Sequence, residues 1–193
     1  MSNQDIRPSF TIITAVYDQA EEIQKNLPDV LSQQYEGQFD VVVVDESSTD
    51  NTADVLKQLK AENKHLYTTF VPKYHFQPNR RRLALSIGVK AAKGNWAIMM
   101  EATTPPPSPA WLQELAEFAK KPTVLLLGYV NRKTGDVRLR EYEDISQADS
   151  IIRKTERWRT SGKGRWKLWL TRAAGYDFMV VRTELGHEVL KLF

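Results

Sequence analysis

Unbroken apolar runs and amphipathic segments alternate along the first 120 residues. Positions 10–17 (FTIITAVY) are β-branched or aromatic except for Ala15, and positions 41–44 are four consecutive valines. Apolar runs without polar alternation are typical of parallel strands that are buried on both faces. The same criteria predict further strands at 65–72, 96–100 and 123–130.

The segments between these strands have the apolar spacing of helices. Helices are predicted after Asp18 and over 48–62, 79–94 and 108–118. Asp18 and Glu21 have the spacing of a capping box, and Pro28 is expected to kink or restart the first helix. Strands that alternate with helices predict right-handed βαβ units. We therefore expect an α/β fold with a mostly parallel central sheet and helices on both faces.

A different pattern follows Val130. Residues 131–140 predict a hairpin, residues 141–158 have apolar side chains at helical spacing, and residues 176–193 predict a strand and a short final helix. We find no repeat, low-complexity tract or linker, so we expect residues 1–193 to form a single domain.

Polar residues follow three of the predicted strands. Tyr17 and Asp18 follow the first strand, Asp45 and Glu46 end the valine run, and Glu101 ends the run at 96–100. Ligands of parallel α/β sheets bind at the carboxyl ends of the strands. The sequence therefore predicts one ligand site that is shared by these three strand ends.

Composition narrows the class of protein. The chain has 193 residues, a net charge of +3 and no cysteine, which excludes disulfides, thiolate metal sites and cysteine nucleophiles. The three histidines lack zinc-site spacing, and neither a P-loop nor a Gly-x-Ser-x-Gly motif is present. No apolar run reaches the roughly 18 residues of a membrane span, and the first residues lack a signal-peptide pattern. We therefore expect a cytoplasmic protein.

Four motifs, in this order, resemble those of the family-2 glycosyltransferases. TAVYDQAEEI begins at Thr14, where the family has a strand that runs into a Val-Tyr-Asn or Val-Tyr-Asp turn. VVVVDESSTDNT, from Val41, resembles the family's Asp-Asp-x-Ser-x-Asp-x-Thr segment. RRRLALSIGVKAAKG, from Arg80, resembles its basic helix, and EATTPPPSPAWL, from Glu101, stands in place of its Asp-x-Asp motif and Trp-Leu helix. The match covers about residues 8–120.

This resemblance implies the nucleotide-sugar-binding GT-A fold, a Rossmann-like sandwich, and transfer of a sugar with inversion to an acceptor hydroxyl. The implied donor is a UDP-sugar. Residues 1–120 would form the nucleotide-binding half and residues 121–193 a shortened acceptor-side half. The positions that match the family's donor site are Ala15, Tyr17, Asp18, Asp45, Arg82, Glu101 and Thr103.

Four of these residues have expected roles, each with a structural alternative. Glu101 is expected to contact the nucleotide, and its alternative is a strand-end acid that is held by backbone N–H groups. Tyr17 is expected to stack on the base, and its alternative is packing against a helix. Asp45 is expected to accept hydrogen bonds from the base or ribose, and its alternative is to cap a turn. Arg82 is expected to neutralise the diphosphate, although a run of three arginines is also typical of a solvated face.

Thr103 departs from the family pattern, because it stands where the second aspartate of Asp-x-Asp would ligate a metal. A neutral hydroxyl is a poor ligand for a hard divalent cation. We therefore expect Mn²⁺ or Mg²⁺ to be held only weakly. Arginines would then have to stabilise the charge of the leaving group.

Two functions stay open, because no motif identifies the catalytic base. The family's acidic acceptor-site motif is not recognisable. Asp177 and Glu184, two late carboxylates near the end of the given sequence, are the candidates for the base. The chain is therefore either an active glycosyltransferase or a catalytically silent accessory protein that binds a nucleotide or a glycan.

Basic residues and tryptophans are concentrated in 151–172. Eight lysines and arginines between positions 153 and 172 stand against Glu156 alone, and Trp158, Trp166 and Trp169 are interleaved. One hypothesis for this pattern is weak peripheral contact with the anionic inner face of a membrane, where a lipid-linked glycan acceptor would lie. The alternative is that the tryptophans pack on the sheet. We do not expect nucleic acid as a partner.

Overall fold

A seven-stranded sheet forms the centre of the protein. The computed structural model describes residues 7–73, 79–131, 133–160 and 176–193. The strands are β1 (Phe10–Val16), β2 (Phe39–Asp45), β3 (Leu66–Phe70), β4 (Trp96–Met100), β5 (Leu125–Val130), β6 (Val137–Tyr142) and β7 (Phe178–Arg182). The helices are α1 (Ala20–Leu31), α2 (Thr52–Glu62), α3 (Arg80–Ala91), α4 (Trp111–Ala119), α5 (Asp149–Thr160) and α6 (Gly186–Val189). Short 3₁₀ turns occur at Ile145–Ala148, Thr183–Leu185 and Leu190–Leu192.

The order of the strands is β3-β2-β1-β4-β7-β5-β6. Strands β1 to β4 pair in parallel, whereas β7 is antiparallel to both of its neighbours and β6 is antiparallel to β5. The α/β fold is therefore confirmed, but a mostly parallel sheet is correct only for the first four strands. The pattern of buried strands does not reveal direction, and here β7 enters between β4 and β5 from the opposite end.

The chain changes direction across the sheet at β1. From β1 it moves outward through β2 to β3, and it then crosses back to place β4 on the other side of β1. Such a switch point opens a crevice at the carboxyl ends of the two strands that diverge from it. The fold therefore places its natural ligand crevice beside the ends of β1 and β4.

Two apolar layers cover the sheet. On one face, Ile12 and Val16 of β1 belong to a buried cluster with apolar residues of α1, α2 and α4. On the other face, Ile13 and Ala15 belong to a cluster with residues of α3, α5 and α6. Adjacent residues of one strand point to opposite faces, so β1 contributes to both layers. The prediction of helices on both faces is confirmed.

The elements after Val130 match their predictions. A hairpin forms here as expected, but its first arm is β5, the strand that was predicted at 123–130, and Gly135 in its turn has a positive φ of 77°. Helix α5 covers most of the predicted helical segment, and β7 and α6 follow near the end of the chain. Helix α1 continues through Pro28 to Leu31 without a restart, and a kink at Pro28 stays a prediction.

The predicted membrane contact involves residues that are only partly described. Residues 161–172 of the basic, tryptophan-rich segment lie outside the described ranges, so this contact stays a prediction. Within the four described ranges, none of the helices combines the length and the apolar character that a bilayer span needs.

Candidate donor site

Three polar strand ends meet at one edge of the sheet, as predicted. Asp45 is the last residue of β2 and pairs with Val16 at the end of β1, so Tyr17 and Asp45 are neighbours at this edge. Glu101 directly follows β4 on the other side of β1. Ala15 lies within β1 and its side chain is buried in the α3 layer, so its contact with a donor stays a prediction.

Two exposed aromatic rings lie on either side of the end of β2. Tyr17 is 52% exposed and Phe70 is 63% exposed. Phe70 pairs with Asp45 from the other side, at the end of β3. Neighbouring strands are about 4.8 Å apart, so the two aromatic residues lie roughly 10 Å apart across β2. Phe70 was not among the predicted site residues, although it shares with Tyr17 the signal of an aromatic residue at a strand end.

The carboxylate of Asp45 is held in one orientation by Ser48. Its Oδ1 accepts hydrogen bonds from the Ser48 amide at 2.9 Å and from the Ser48 hydroxyl at 2.6 Å. Both bonds use the same oxygen, and Asp45 is only partly buried. The turn therefore orients Asp45 through Oδ1 alone, and Oδ2 accepts no hydrogen bond from the described residues. The two readings of Asp45, turn cap and ligand contact, are compatible.

Asp18 connects the turn after β1 to the turn after β2. It has a φ of 47°, and its Oδ1 accepts from the amides of Thr49 at 2.6 Å and Asp50 at 3.3 Å. The predicted capping box with Glu21 is wrong, because Gln19 is the N-cap and makes no side-chain cap bond. The carboxylate of Asp18 faces the neighbouring turn, so a donor contact by this residue stays a prediction.

Asp50 takes over the role in helix α1 that was predicted for Asp18. Its Oδ2 accepts from the Ala20 amide at 3.1 Å, in the first turn of α1. Hydrogen bonds from Thr52, and then from Ala20, lower the pKa of Asp50. The two turns are therefore held together by acids from both sides.

Three arginines open helix α3, which has no acid in its first turn. Positive charges at a helix N-terminus oppose the helix dipole, so this arrangement does not serve helix stability. Arg80 donates from Nη2 to the carbonyl of Glu46 at 2.6 Å, at the carboxyl edge of the sheet. Arg82 is exposed and lines a separate cleft with Ser86 and His187.

The structure therefore turns Arg80 and Arg81, rather than Arg82, toward the strand ends. Successive residues of a helix point about 100° apart, so only the seating of α3 on the sheet decides which arginine faces the site. The run of arginines in the sequence carries no such information, and the diphosphate contact of Arg82 stays a prediction.

Arg81 forms ion pairs with carboxylates from two different elements. Its Nη2 lies 2.5 Å from Glu101 Oε1, and its Nε lies 3.5 Å from Glu156 Oε2. Glu156 belongs to α5 and is only 2% exposed, and its Oε1 accepts a 2.6 Å hydrogen bond from the Tyr176 hydroxyl. A buried carboxylate needs such partners, because removal from water is costly. In the sequence, Glu156 is only the single acid of the basic segment, and no motif predicts a role for it.

The charged groups at this edge form one electrostatic cluster. Burial raises the pKa of Glu46, the positive charges of Arg81 and Arg80 oppose that rise, and Glu101 and Asp45 add to it. The pKa of Glu46 therefore depends on carboxylates and guanidiniums at the ends of β2, β4 and α3.

The residues at the predicted metal position do not suit a divalent cation. Glu101 is already paired with the guanidinium of Arg81, and Thr103 offers only a neutral hydroxyl. The described part of the chain has no group of three or more His, Asp or Glu side chains that could hold a metal ion. The loop itself is held in place, because Asn26 donates from Nδ2 to the carbonyl of Ala102 at 2.8 Å.

The two late carboxylates lie at opposite edges of the sheet. Asp177 precedes β7 at the carboxyl edge, and its Oδ2 accepts from the Val130 amide at 2.8 Å. Glu184 follows β7, so it is separated from this edge by the length of the strand, roughly 15 Å. Of these two residues, only Asp177 lies on the side of the candidate site.

A comparison with family models decides the relationship. The model for glycosyl transferase family 2 matches residues 11–187, which is most of the chain. The chain belongs to this family. The resemblance that the four motifs indicated is thereby confirmed.

A sequence relative agrees with this relationship. The poly-β-1,6-N-acetyl-D-glucosamine synthase of Staphylococcus aureus (strain COL) is 28% identical over 144 residues, which are 74% of this chain and 32% of the synthase. The chain thus spans about a third of that relative's length.

Solved structures with low sequence identity share the GT-A fold. The mannosyltransferase PcManGT from Pyrobaculum calidifontis, in complex with GDP-Man and Mn²⁺, has a TM-score of 0.61 and 20% identity, and the match covers 96% of this chain and 47% of that one. S. aureus TarS 1-349, in complex with UDP-GlcNAc, has a TM-score of 0.52 and 22% identity, covering 64% of this chain and 34% of that one.

Proposed function

We propose that the protein binds a UDP-sugar at the carboxyl edge of β1, β2 and β4 and transfers the sugar to an acceptor hydroxyl. The observation that carries the proposal is the convergence of Tyr17, Asp45 and the first turn of α3 at this edge. The base end would be formed by exposed aromatic rings and an oriented carboxylate. The diphosphate end would lie near the arginines.

The names of similar proteins support the donor class. The related synthase makes a polymer of N-acetyl-D-glucosamine, and the structurally similar TarS has been solved with UDP-GlcNAc. A glycan acceptor, either linked to a lipid or free, is consistent with the names of these two relatives. We assign donor recognition to residues 1–120 and acceptor contacts to residues 121–193.

The reaction would proceed with inversion. The acceptor oxygen forms a bond to the anomeric carbon while the bond from that carbon to the diphosphate oxygen breaks. The electron pair leaves with the nucleoside diphosphate, and a general base takes the acceptor proton. Asp177 is the late carboxylate that lies on the correct side of the sheet for this role.

Nucleotide binding tests the donor site directly. Calorimetric titration and thermal shift with UDP, GDP and UDP-GlcNAc should show binding of the uridine nucleotides. A ligand at 100 times its Kd stabilises a protein by about 2.7 kcal/mol, which is readily measured. If none of these nucleotides shifts the melting temperature at millimolar concentration, the donor-site proposal is wrong.

Two matched pairs of variants locate the site. Asp45→Ala should weaken UDP binding by about 1 to 3 kcal/mol, since hydrogen-bond donors of the base or ribose would be left without an acceptor. Asp40→Ala removes the same residue type from the opposite end of β2 and should leave binding unchanged. Tyr17→Ala should cost about 1 to 3 kcal/mol through lost stacking, whereas Tyr67→Ala, in the body of β3, should not.

A catalytically silent accessory protein is the second candidate. The pairing of Glu101 with Arg81 and the neutral side chain of Thr103 favour it, because both weaken the family's metal site. The two candidates share nucleotide binding and differ in turnover. Release of UDP from UDP-GlcNAc, with and without short glycan acceptors, supports the transferase, and binding without any release supports the accessory protein.

A further inference from the structure

A guanidinium is held between two carboxylates at the end of β4. Glu101 contacts Arg81 from the loop after β4, at 2.5 Å, and Glu156 contacts it from α5, at 3.5 Å. In proteins, carboxylates that converge from separate elements are the usual way to hold a hard cation. Here the cation at the centre of that arrangement is part of the chain.

The surroundings fix this guanidinium in place before any ligand arrives. The side chain of Arg81 is 17% exposed and that of Glu156 is 2% exposed. The Tyr176 hydroxyl donates to the other oxygen of Glu156 at 2.6 Å, so the second carboxylate is itself anchored. A preorganised charge loses little conformational freedom when a ligand binds.

We propose that Arg81 is the built-in cation of the donor site, and that it takes the place of a divalent metal on the diphosphate. This inference rests on the proposed function. A guanidinium keeps its charge at physiological pH and forms charge-assisted hydrogen bonds to phosphate oxygens. As the anomeric bond breaks and its electron pair moves to the diphosphate, Arg81 stabilises the negative charge on the departing oxygen.

Two consequences follow from this assignment. First, nucleotide binding should be independent of divalent metal in the wild-type protein. Second, removal of the Arg81 charge should weaken the binding of a nucleoside diphosphate in the absence of metal, because a cation that contacts the diphosphate is lost.

The first experiment is a calorimetric titration of UDP into the wild type and Arg81→Gln, each in EDTA and in Mn²⁺. The wild type should bind equally well in both buffers. In EDTA, Arg81→Gln should bind about 10- to 100-fold more weakly, since a charged hydrogen-bond donor to the diphosphate is lost. The loss should be smaller for UMP, which has one phosphate, whereas damage to the fold would weaken both ligands equally. Lys90→Gln removes an exposed cation from the far end of α3 and is the matched control.

The outcomes separate this inference from the proposed function. Absence of UDP binding in both buffers refutes the donor site itself. UDP binding that needs Mn²⁺, or full affinity of Arg81→Gln in EDTA, leaves the donor site standing and overturns the role of Arg81.

The second experiment measures Mn²⁺ binding directly, from the loss of the free-ion signal in electron paramagnetic resonance. The wild type should leave the signal unchanged, with and without UDP, and a signal that falls when UDP is added would overturn the replacement of the metal by Arg81. If Arg81→Gln fails to fold, Glu156→Gln provides the test, because it keeps the tyrosine acceptor and removes one of the charges that neutralise Arg81. This variant should bind UDP more tightly than the wild type in EDTA, and unchanged or weaker binding overturns the proposal.

Discussion

Replacement of Asp18 tests how the two turns of the donor site are held together. Its carboxylate accepts from the amides of Thr49 at 2.6 Å and Asp50 at 3.3 Å, and its backbone has a φ of 47°. Asparagine keeps an acceptor oxygen and is compatible with a positive φ. Glycine is compatible with this φ but has no acceptor oxygen, and alanine has neither property. The three substitutions therefore separate the hydrogen bonds from the backbone conformation.

The magnitudes follow from the geometry. The bonds are solvent-exposed, so we take about 1 kcal/mol for the short bond to Thr49 and about half of that for the longer bond to Asp50. A left-handed backbone adds about 1 kcal/mol for alanine. The free energy of unfolding should thus fall by less than about 1 kcal/mol for Asp18→Asn, about 1.5 for Asp18→Gly and about 2.5 for Asp18→Ala.

Urea unfolding followed by tryptophan fluorescence measures these differences, provided that the slope with denaturant stays constant. Asp29→Ala, at an exposed position of α1, is the control and should change stability by less than about 0.5 kcal/mol. Equal losses for glycine and alanine would show that the left-handed backbone is not enforced. Three variants as stable as the wild type would show that the connection between the turns contributes nothing.

Three further substitutions test the cluster, the core and the loop after β4. Glu46→Gln should raise the melting temperature at neutral pH, because burial raises the pKa of Glu46 in the folded state. The stability that the protonated form of Glu46 confers is present below the ordinary pKa of 4.5 and is lost as the pH rises through the folded pKa, so the gain from Glu46→Gln should vanish in acid. Exposed Glu62→Gln is the control for the pH dependence of the melting temperature. Gly128→Ala would place a Cβ 2.0 Å from the buried ring of Phe178 and should cost about 1 to 3 kcal/mol in urea unfolding; a loss of less than 0.5 kcal/mol would mean that the ring moves freely. Asn26→Ala removes the hydrogen bond to the carbonyl of Ala102 and should lower the free energy of unfolding by about 1 to 3 kcal/mol. Unchanged stability would show that the contact of this loop with α1 does not stabilise the protein.

The sequence determined the class of fold and the family, because both depend on patterns that are local. The valine run of β2 and the apolar runs of β1 and β4 identify buried strands wherever they pack. Asp45 and Tyr17 were identifiable as candidate ligand contacts because the carboxyl ends of parallel strands always share one edge of a sheet. The motifs that indicate the family lie at these same strand ends.

Only the tertiary structure decided which charges meet. Glu156 and Glu101 are 55 positions apart along the sequence (156 minus 101). The end of β4 brings Glu101 to Arg81, and the packing of α5 on the α3 face of the sheet brings Glu156 to it. The choice among Arg80, Arg81 and Arg82 depends on the rotation of α3, and the direction of β7 depends on where the chain re-enters the sheet. Such outcomes depend on contacts between distant segments, which local periodicity and capping rules do not describe. For the same reason the carboxylate of Asp18, which local spacing assigned to its own helix, bonds instead to the neighbouring turn.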